Sequence, residues 1–161
     1  MASVEEILTF WFGLPGEPIY GKPRACWFRK KLKFDQEVRD RFLDVYHKAV
    51  LGQLDIWYAS SQSCLALILL FDQFPRNMFR GTAQAFATGS QAITAAERAI
   101  TMGFDHELIT VQRWFIYLPF EHSENLAHQR RSVELFSNLS ENSDPTTTID
   151  VAIRHLAMEA Y

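Results

Sequence analysis

Apolar positions recur at helical spacing along most of the chain, and Gly or Pro punctuates each run. Val4, Ile7, Leu8, Trp11 and Phe12 form the first stripe, stopped by Gly13, Pro15 and Gly16. Residues 13–24 hold three glycines and three prolines, which predicts a loop. A helix is expected from near Asp35 to Gly52, with Val38, Phe42, Val45, Tyr46 and Ala49 on one face and charges opposite. Ser61 or Ser63 opens the next segment. Leu65 and Leu67 to Phe71 are apolar all round, which predicts a central, buried helix. A buried strand is the rival reading, but few other stretches alternate with period two, so it would lack partners.

Pro75 is expected to end that segment. Thr88 and Gln91 have capping-box spacing ahead of Ala92, Ala96, Ala99 and Ile100, and Gly103 stops that helix. Asp105 reads as the N-cap of a helix carrying Leu108, Val111, Phe115 and Leu118, broken by Pro119. Ser123 reads as the cap of a helix to about Leu139, with Leu126, Val133 and Phe136 as its stripe. Glu141 to Asp144 reads as a polar turn. Pro145 then suits the start of a last helix through Ile149, Ala152, Ile153 and Leu156. The pattern is all-α, with about seven helices joined by short connections, as antiparallel helical hairpins in a bundle or a stack. No fixed repeat of about 34 residues is legible. The 161 residues suit a single domain over 1–161.

Composition narrows the function classes. The formal charge of −3 gives no general pull toward nucleic acid or anionic membrane. The longest apolar run, Cys64 to Phe71, falls well short of the ~20 residues a membrane span needs. Glu5 and Glu6 stand where a secretory signal carries positive charge. Cys26 and Cys64 form no disulfide framework and no C-x-x-C pair, so a cytoplasmic protein is expected. Lys22, Arg24, Arg29, Lys30, Lys31 and Lys33 surround Trp27 and Phe28. In an otherwise acidic chain this cluster reads as a solvated helix face beside core aromatics rather than a nucleic-acid surface.

Two polar stretches break the apolar pattern. The first, Asp72 to Arg80, follows directly on the most apolar segment. Asp72 extends the stripe of Leu65 and Leu69, so its carboxylate points inward and needs a partner. Arg76 lies four residues on, Arg80 a further four, and Asn77 suits a turn. The second stretch is Pro119 to Glu124. His122 and Gln129 continue the inward stripe, Glu121 and Glu124 suit a helix start, and Arg130 and Arg131 lie at or beside the stripe. Asp72, Glu121, His122 and Glu124 are metal-ligand types. However, the adjacent Glu121 and His122 diverge on a helix and no H-E-x-x-H occurs, so neither a metal nor a cofactor is expected.

At these residues the chain resembles the bacterial domain of unknown function 924 family. The matching stretches are Ile7 to Gly13, Trp27-Phe28, Phe34-Asp35, Gly52 to Trp57, Leu65 to Ala87 and Tyr117 to Arg131. The last two, with D-Q-F-P-R-N-M-F-R-G-T and Y-L-P-F-E-H-S-E, are the most specific. The resemblance implies an all-helical, tetratricopeptide-like fold and implies no function. It groups Asp72, Gln73, Arg76, Asn77, Arg80, Glu121, His122, Ser123, Glu124, Gln129 and Arg130. Similar proteins usually continue into a segment resembling F-G-R-F-P-x-R-N. This chain stops at Tyr161 without it, so a shortened chain or an incomplete site is expected.

Three readings of the grouped residues follow. In the leading one, Arg76, Arg80 and Arg130 hold an anionic small molecule or a peptide carboxylate, oriented by Asp72, Glu124 and Gln129. In the second, a hydrolase uses His122 as base with Glu124 or Asp72 orienting it, with or without a metal. In the third, the cluster is a structural polar network, and the helical-hairpin architecture permits a protein partner on a concave face.

Overall fold

The computed structural model describes residues 1–141. Apart from Glu141, which ends a helix, the polar turn to Asp144 and the helix expected from Pro145 lie outside the described residues. The described residues form seven α-helices: α1 Val4–Phe12, α2 Leu32–Val50, α3 Ser61–Phe71, α4 Gln73–Met78, α5 Gly89–Thr101, α6 Thr110–His122 and α7 Leu126–Glu141. Single turns of 3₁₀ helix fill the connections at Ala25–Trp27, Asp55–Ala59, Ala83–Phe86 and Phe104–Glu107. No strand occurs among the described residues, and none of their helices is long and apolar enough to cross a membrane. Six of these helices match those expected over the described residues, and α4 is a further, short element that the pattern did not separate from α3.

The all-apolar segment is the centre of the fold. Every residue of α3 from Cys64 to Phe71 is buried, and α3 packs against α1, α2, α5 and α6. Burial pushes the Cys64 thiol up to about 11, so it stays protonated and behaves as a small apolar group. Ser60 is the N-cap of α3, accepting from the Ser63 N–H, where the sequence had suggested Ser61 or Ser63. On α2 the expected face of Val38, Phe42, Val45, Tyr46 and Ala49 is buried, and Asp35 is buried with it.

Aromatic rings fill the space between α1, α2, α4 and α6. Trp11 packs against Trp27, Phe34, Phe74 and Phe115 with ring centroids 5.4–6.2 Å apart. The basic stretch before α2 is partly structural. Arg24 Nη1 donates to the Phe10 and Trp11 carbonyls at 2.9 and 2.8 Å, and Trp27 Nε1 donates to Trp11 O at 3.0 Å. These donors satisfy carbonyls that the C-terminus of α1 leaves unpaired.

Both prolines expected to stop helices do something else. Pro75 sits in the first turn of α4, where no intrahelical N–H is needed. A proline also crowds the carbonyl four residues earlier. Here that is Phe71 O, and α3 stops at Phe71 with Asp72 as the joint. The Thr88 hydroxyl donates to Phe71 O at 2.6 Å. Thr88 therefore supports the joint and does not cap α5, where it makes no side-chain cap bond. Pro119 lies inside α6, which continues three residues further to His122.

Asp105 does not cap α6. It lies in the 3₁₀ turn before that helix, and its Oδ2 accepts from the Tyr117 hydroxyl at 2.6 Å. Ser123 ends α6, and Asn125 supplies the cap of α7, its Oδ1 accepting from the Ala127 and His128 N–H groups. Of the expected stripe Phe136 is buried, whereas Leu126 and Val133 are exposed, and Ser132 and Leu139 are the residues buried beside Phe136.

Candidate functional site

The joint at Asp72 and the end of α6 meet. Asp72 Oδ1 accepts from His122 Nδ1 at 2.8 Å, and both side chains are only 4% exposed. A carboxylate fixing one imidazole nitrogen sets the tautomer and orientation of the ring. Arg76 Nε stands 4.0 Å from the same Oδ1. Its guanidinium also lies over the Phe86 ring, 5.0 Å from the centroid, which holds the planar fork in one orientation.

A cavity of ≈ 1080 Å³ opens beside this pair. On the α3–α4 side it is lined by Asp72, Gln73, Arg76, Asn77 and Arg80; on the α6–α7 side by His122, Ser123, Glu124 and His128. Trp27, Phe28, Phe71, Phe86 and Ile93 supply apolar wall, and Arg29 enters from the loop before α2. Arg29 is exposed and has no ion-pair partner among the described residues.

The cavity side chains differ in what already holds them. Arg80 Nε and Nη2 donate to Asp35 Oδ2 and Oδ1 at 2.7 and 3.0 Å, and Asn77 Nδ2 donates to Oδ1 at 2.9 Å. Asp35 thus ties α2 to α4, and Arg80 is oriented by it rather than by Asp72, Glu124 or Gln129. Ser123 Oγ accepts from the Asn125 N–H at 3.2 Å and shares a hydrogen bond with His128 Nδ1 at 2.7 Å. Gln73 is 4% exposed, and its Nε2 has no hydrogen-bond partner among the described residues.

Three of the grouped residues are not among those lining the cavity. Glu121 is buried within α6. The Gln129 carboxamide donates to the carbonyls of Glu121 and Ser123, so it clamps the α6–α7 corner and orients no arginine. Arg130 is exposed. No group of three His, Cys, Asp or Glu side chains among the described residues converges as a metal site. Of the two carboxylates considered for orienting His122, it is Asp72 that makes the contact.

The sequence pattern overlooked Arg29, Phe86, His128 and Asp35. Arg29 was absorbed into the basic stretch and Asp35 into the charged face of α2. Phe86 lies in a turn with no periodicity to read. His128 carried one available signal, its position one turn after Glu124.

A second buried polar cluster lies apart from the cavity. The Tyr117 hydroxyl donates to Asp105 and accepts from Arg113 Nη2 at 3.0 Å. Burial, with the bond to Asp105, pushes the Tyr117 phenol up to about 12.

No curated protein matches the chain. A solved structure of a protein of unknown function from Agrobacterium tumefaciens is similar to it, with 40% identity and a TM-score of 0.75. That similarity covers 84% of this chain and 73% of the other. Residues 7–159 match the model of a family described as bacterial protein of unknown function, DUF924. The chain therefore belongs to the DUF924 family.

Proposed function

We propose that the cavity binds an anionic small molecule, or the carboxylate end of a peptide, through arginine. The observation that carries this reading is the convergence of Arg29, Arg76 and Arg80 on one aromatic-walled cavity of ≈ 1080 Å³. Its guanidinium groups outnumber the Asp72 and Glu124 carboxylates in a chain that is acidic overall. The volume lies just above the roughly 300–1,000 Å³ found for small-ligand sites, and the lining carries more polar and charged residues than apolar ones, which suits a charged ligand. Arginine forks pair with carboxylate and phosphate in a planar, bidentate geometry. Asp35 holds Arg80 and Asp72 stands beside Arg76, so all three guanidinium groups contribute to the field, and the exposed Arg29 adds most to the attraction.

Titration calorimetry with 3-phenylpropanoate tests the reading. Arg29→Ala removes an exposed cation and should leave the fold alone. Binding is expected to weaken about tenfold in this variant, to weaken also in Arg76→Ala, and to fall as salt rises. Unchanged affinity in both variants would exclude an arginine-held anion.

A second reading is favoured by one observation, the 2.8 Å contact of Asp72 with His122 at the cavity wall. In it His122 is the general base of a hydrolase and Asp72 its orienting carboxylate. Under that reading His122→Gln abolishes turnover of a bound ester while 3-phenylpropanoate affinity persists.

A further inference from the structure

We propose that the ligand of this cavity carries an amide next to its carboxylate, as in an N-acylated α-amino acid or the end of a peptide. The inference rests on the reading of the cavity as an anion site and adds a second recognition group, Gln73. Buried polar groups are nearly always hydrogen-bonded. Of the two buried carboxamides on α4, Asn77 obeys this rule internally by donating to Asp35. Gln73 is equally buried and lines the cavity, yet its Nε2 has no partner among the described residues. An apolar side chain would fill that position at no desolvation cost, so the carboxamide is an expensive choice unless a ligand pairs with it.

The chemistry of the group narrows the partner. A carboxamide offers both a donor and an acceptor, and the group that answers both is another amide. A hydroxyl or a lone carbonyl answers less of it. Position narrows it further. Gln73 and Arg76 are three residues apart on α4, which sets their Cβ atoms about 5–6 Å apart on one face. In an N-acyl amino acid the carboxylate carbon and the acyl carbon are three bonds apart, roughly 3–4 Å by standard bond lengths. An arginine and a glutamine side chain converging from adjacent turns therefore reach both groups of one such ligand. Phe71, Phe86 and Ile93 then face the ligand's side chain, which favours an apolar or aromatic residue.

Calorimetry with matched probes tests the inference. N-acetyl-L-phenylalanine and 3-phenylpropanoate share the ring and the carboxylate and differ by the acetamido group. The wild-type chain is expected to bind the first about five- to tenfold tighter, the effect of one to two added hydrogen bonds. Gln73→Leu, and Gln73→Met should the first fold poorly, are expected to bind the two carboxylates with equal affinity, the ratio being read within each variant. N-acetyl-L-phenylalaninamide, which lacks the carboxylate, is expected to bind at least tenfold more weakly than the acid. Equal affinity of the wild type for the two carboxylates overturns the inference without any variant, as does a preference that survives in Gln73→Leu. Binding of neither carboxylate defeats the anion reading itself. Acetyl-Ala-Ala-Ala-Phe separates the sources of this chemistry: tighter binding than N-acetyl-L-phenylalanine assigns a peptide terminus, and equal binding assigns the small molecule.

Discussion

Replacing Asp35 with alanine tests whether one buried carboxylate holds α4 in place. Its side chain is 11% exposed and accepts three hydrogen bonds, two from Arg80 and one from Asn77. The substitution leaves the Asn77 amide buried without a partner, which costs about 1–3 kcal/mol. It also breaks a bidentate charged pair. Removing one member of a fully buried pair costs about 3–5 kcal/mol, but the Arg80 side chain is 36% exposed and recovers much of its solvation. The expected total is therefore about 2–4 kcal/mol, read as a fall in urea midpoint at constant slope. The same variant frees Arg80, so 3-phenylpropanoate should bind tighter at low salt even though the fold is weaker. A loss under about 1 kcal/mol would refute the clamp. A normal loss with weaker anion binding would mean that Arg80 acts only while held by Asp35.

Two further outcomes follow from buried polar groups. Thr88→Val leaves Phe71 O without its donor and should cost about 1–3 kcal/mol in urea unfolding, whereas Thr88→Ser keeps the hydroxyl and should cost less; equal losses would remove the hydrogen bond as the cause. Tyr117 is raised in the folded state from about 10 to about 12, so its contribution is full below pH 10 and is lost as pH rises through 12. The stability gap between the wild type and Tyr117→Phe should accordingly shrink between pH 9 and pH 12, and a gap constant over that range would count against the buried, protonated phenol.

The helices that build the core were legible because burial and periodicity agree there. α1, the apolar face of α2 and the whole of α3 follow directly from where apolar side chains recur. Proline was read too simply. It lacks an N–H and crowds the carbonyl four residues back, but the first turn of a new helix needs no N–H, so Pro75 fits in the first turn of α4 just after α3 ends. On α7 periodicity fixes which positions share a face, but packing against α6 decides which face is inward, and it buries Ser132, Phe136 and Leu139 while Leu126 and Val133 face solvent. In the site, Asp72 and His122 were legible as polar groups among apolar neighbours. Asp35 was not, because a single inward carboxylate on a charged helix resembles its exposed neighbours. Arg29 and Phe86 come from turns, where no period exists to mark which side chain points inward.

The run from Asp72 to Arg80 divides its labour by residue. Thr88 supports its first joint through Phe71 O, Asp35 grips its far end through Asn77 and Arg80, and Arg39 Nη1 donates to Met78 O at 3.0 Å. A six-residue helix has too few internal hydrogen bonds to be stable alone. These outside contacts fix it instead, and they are made by residues on either side of Gln73 and Arg76 rather than by those two. A binding group whose backbone is already held loses less entropy when a ligand arrives than one that must first be ordered. The short helix is thus better understood as a rigid bracket than as an extension of α3. The same clamps that stabilise the fold decide how Gln73 and Arg76 face the cavity.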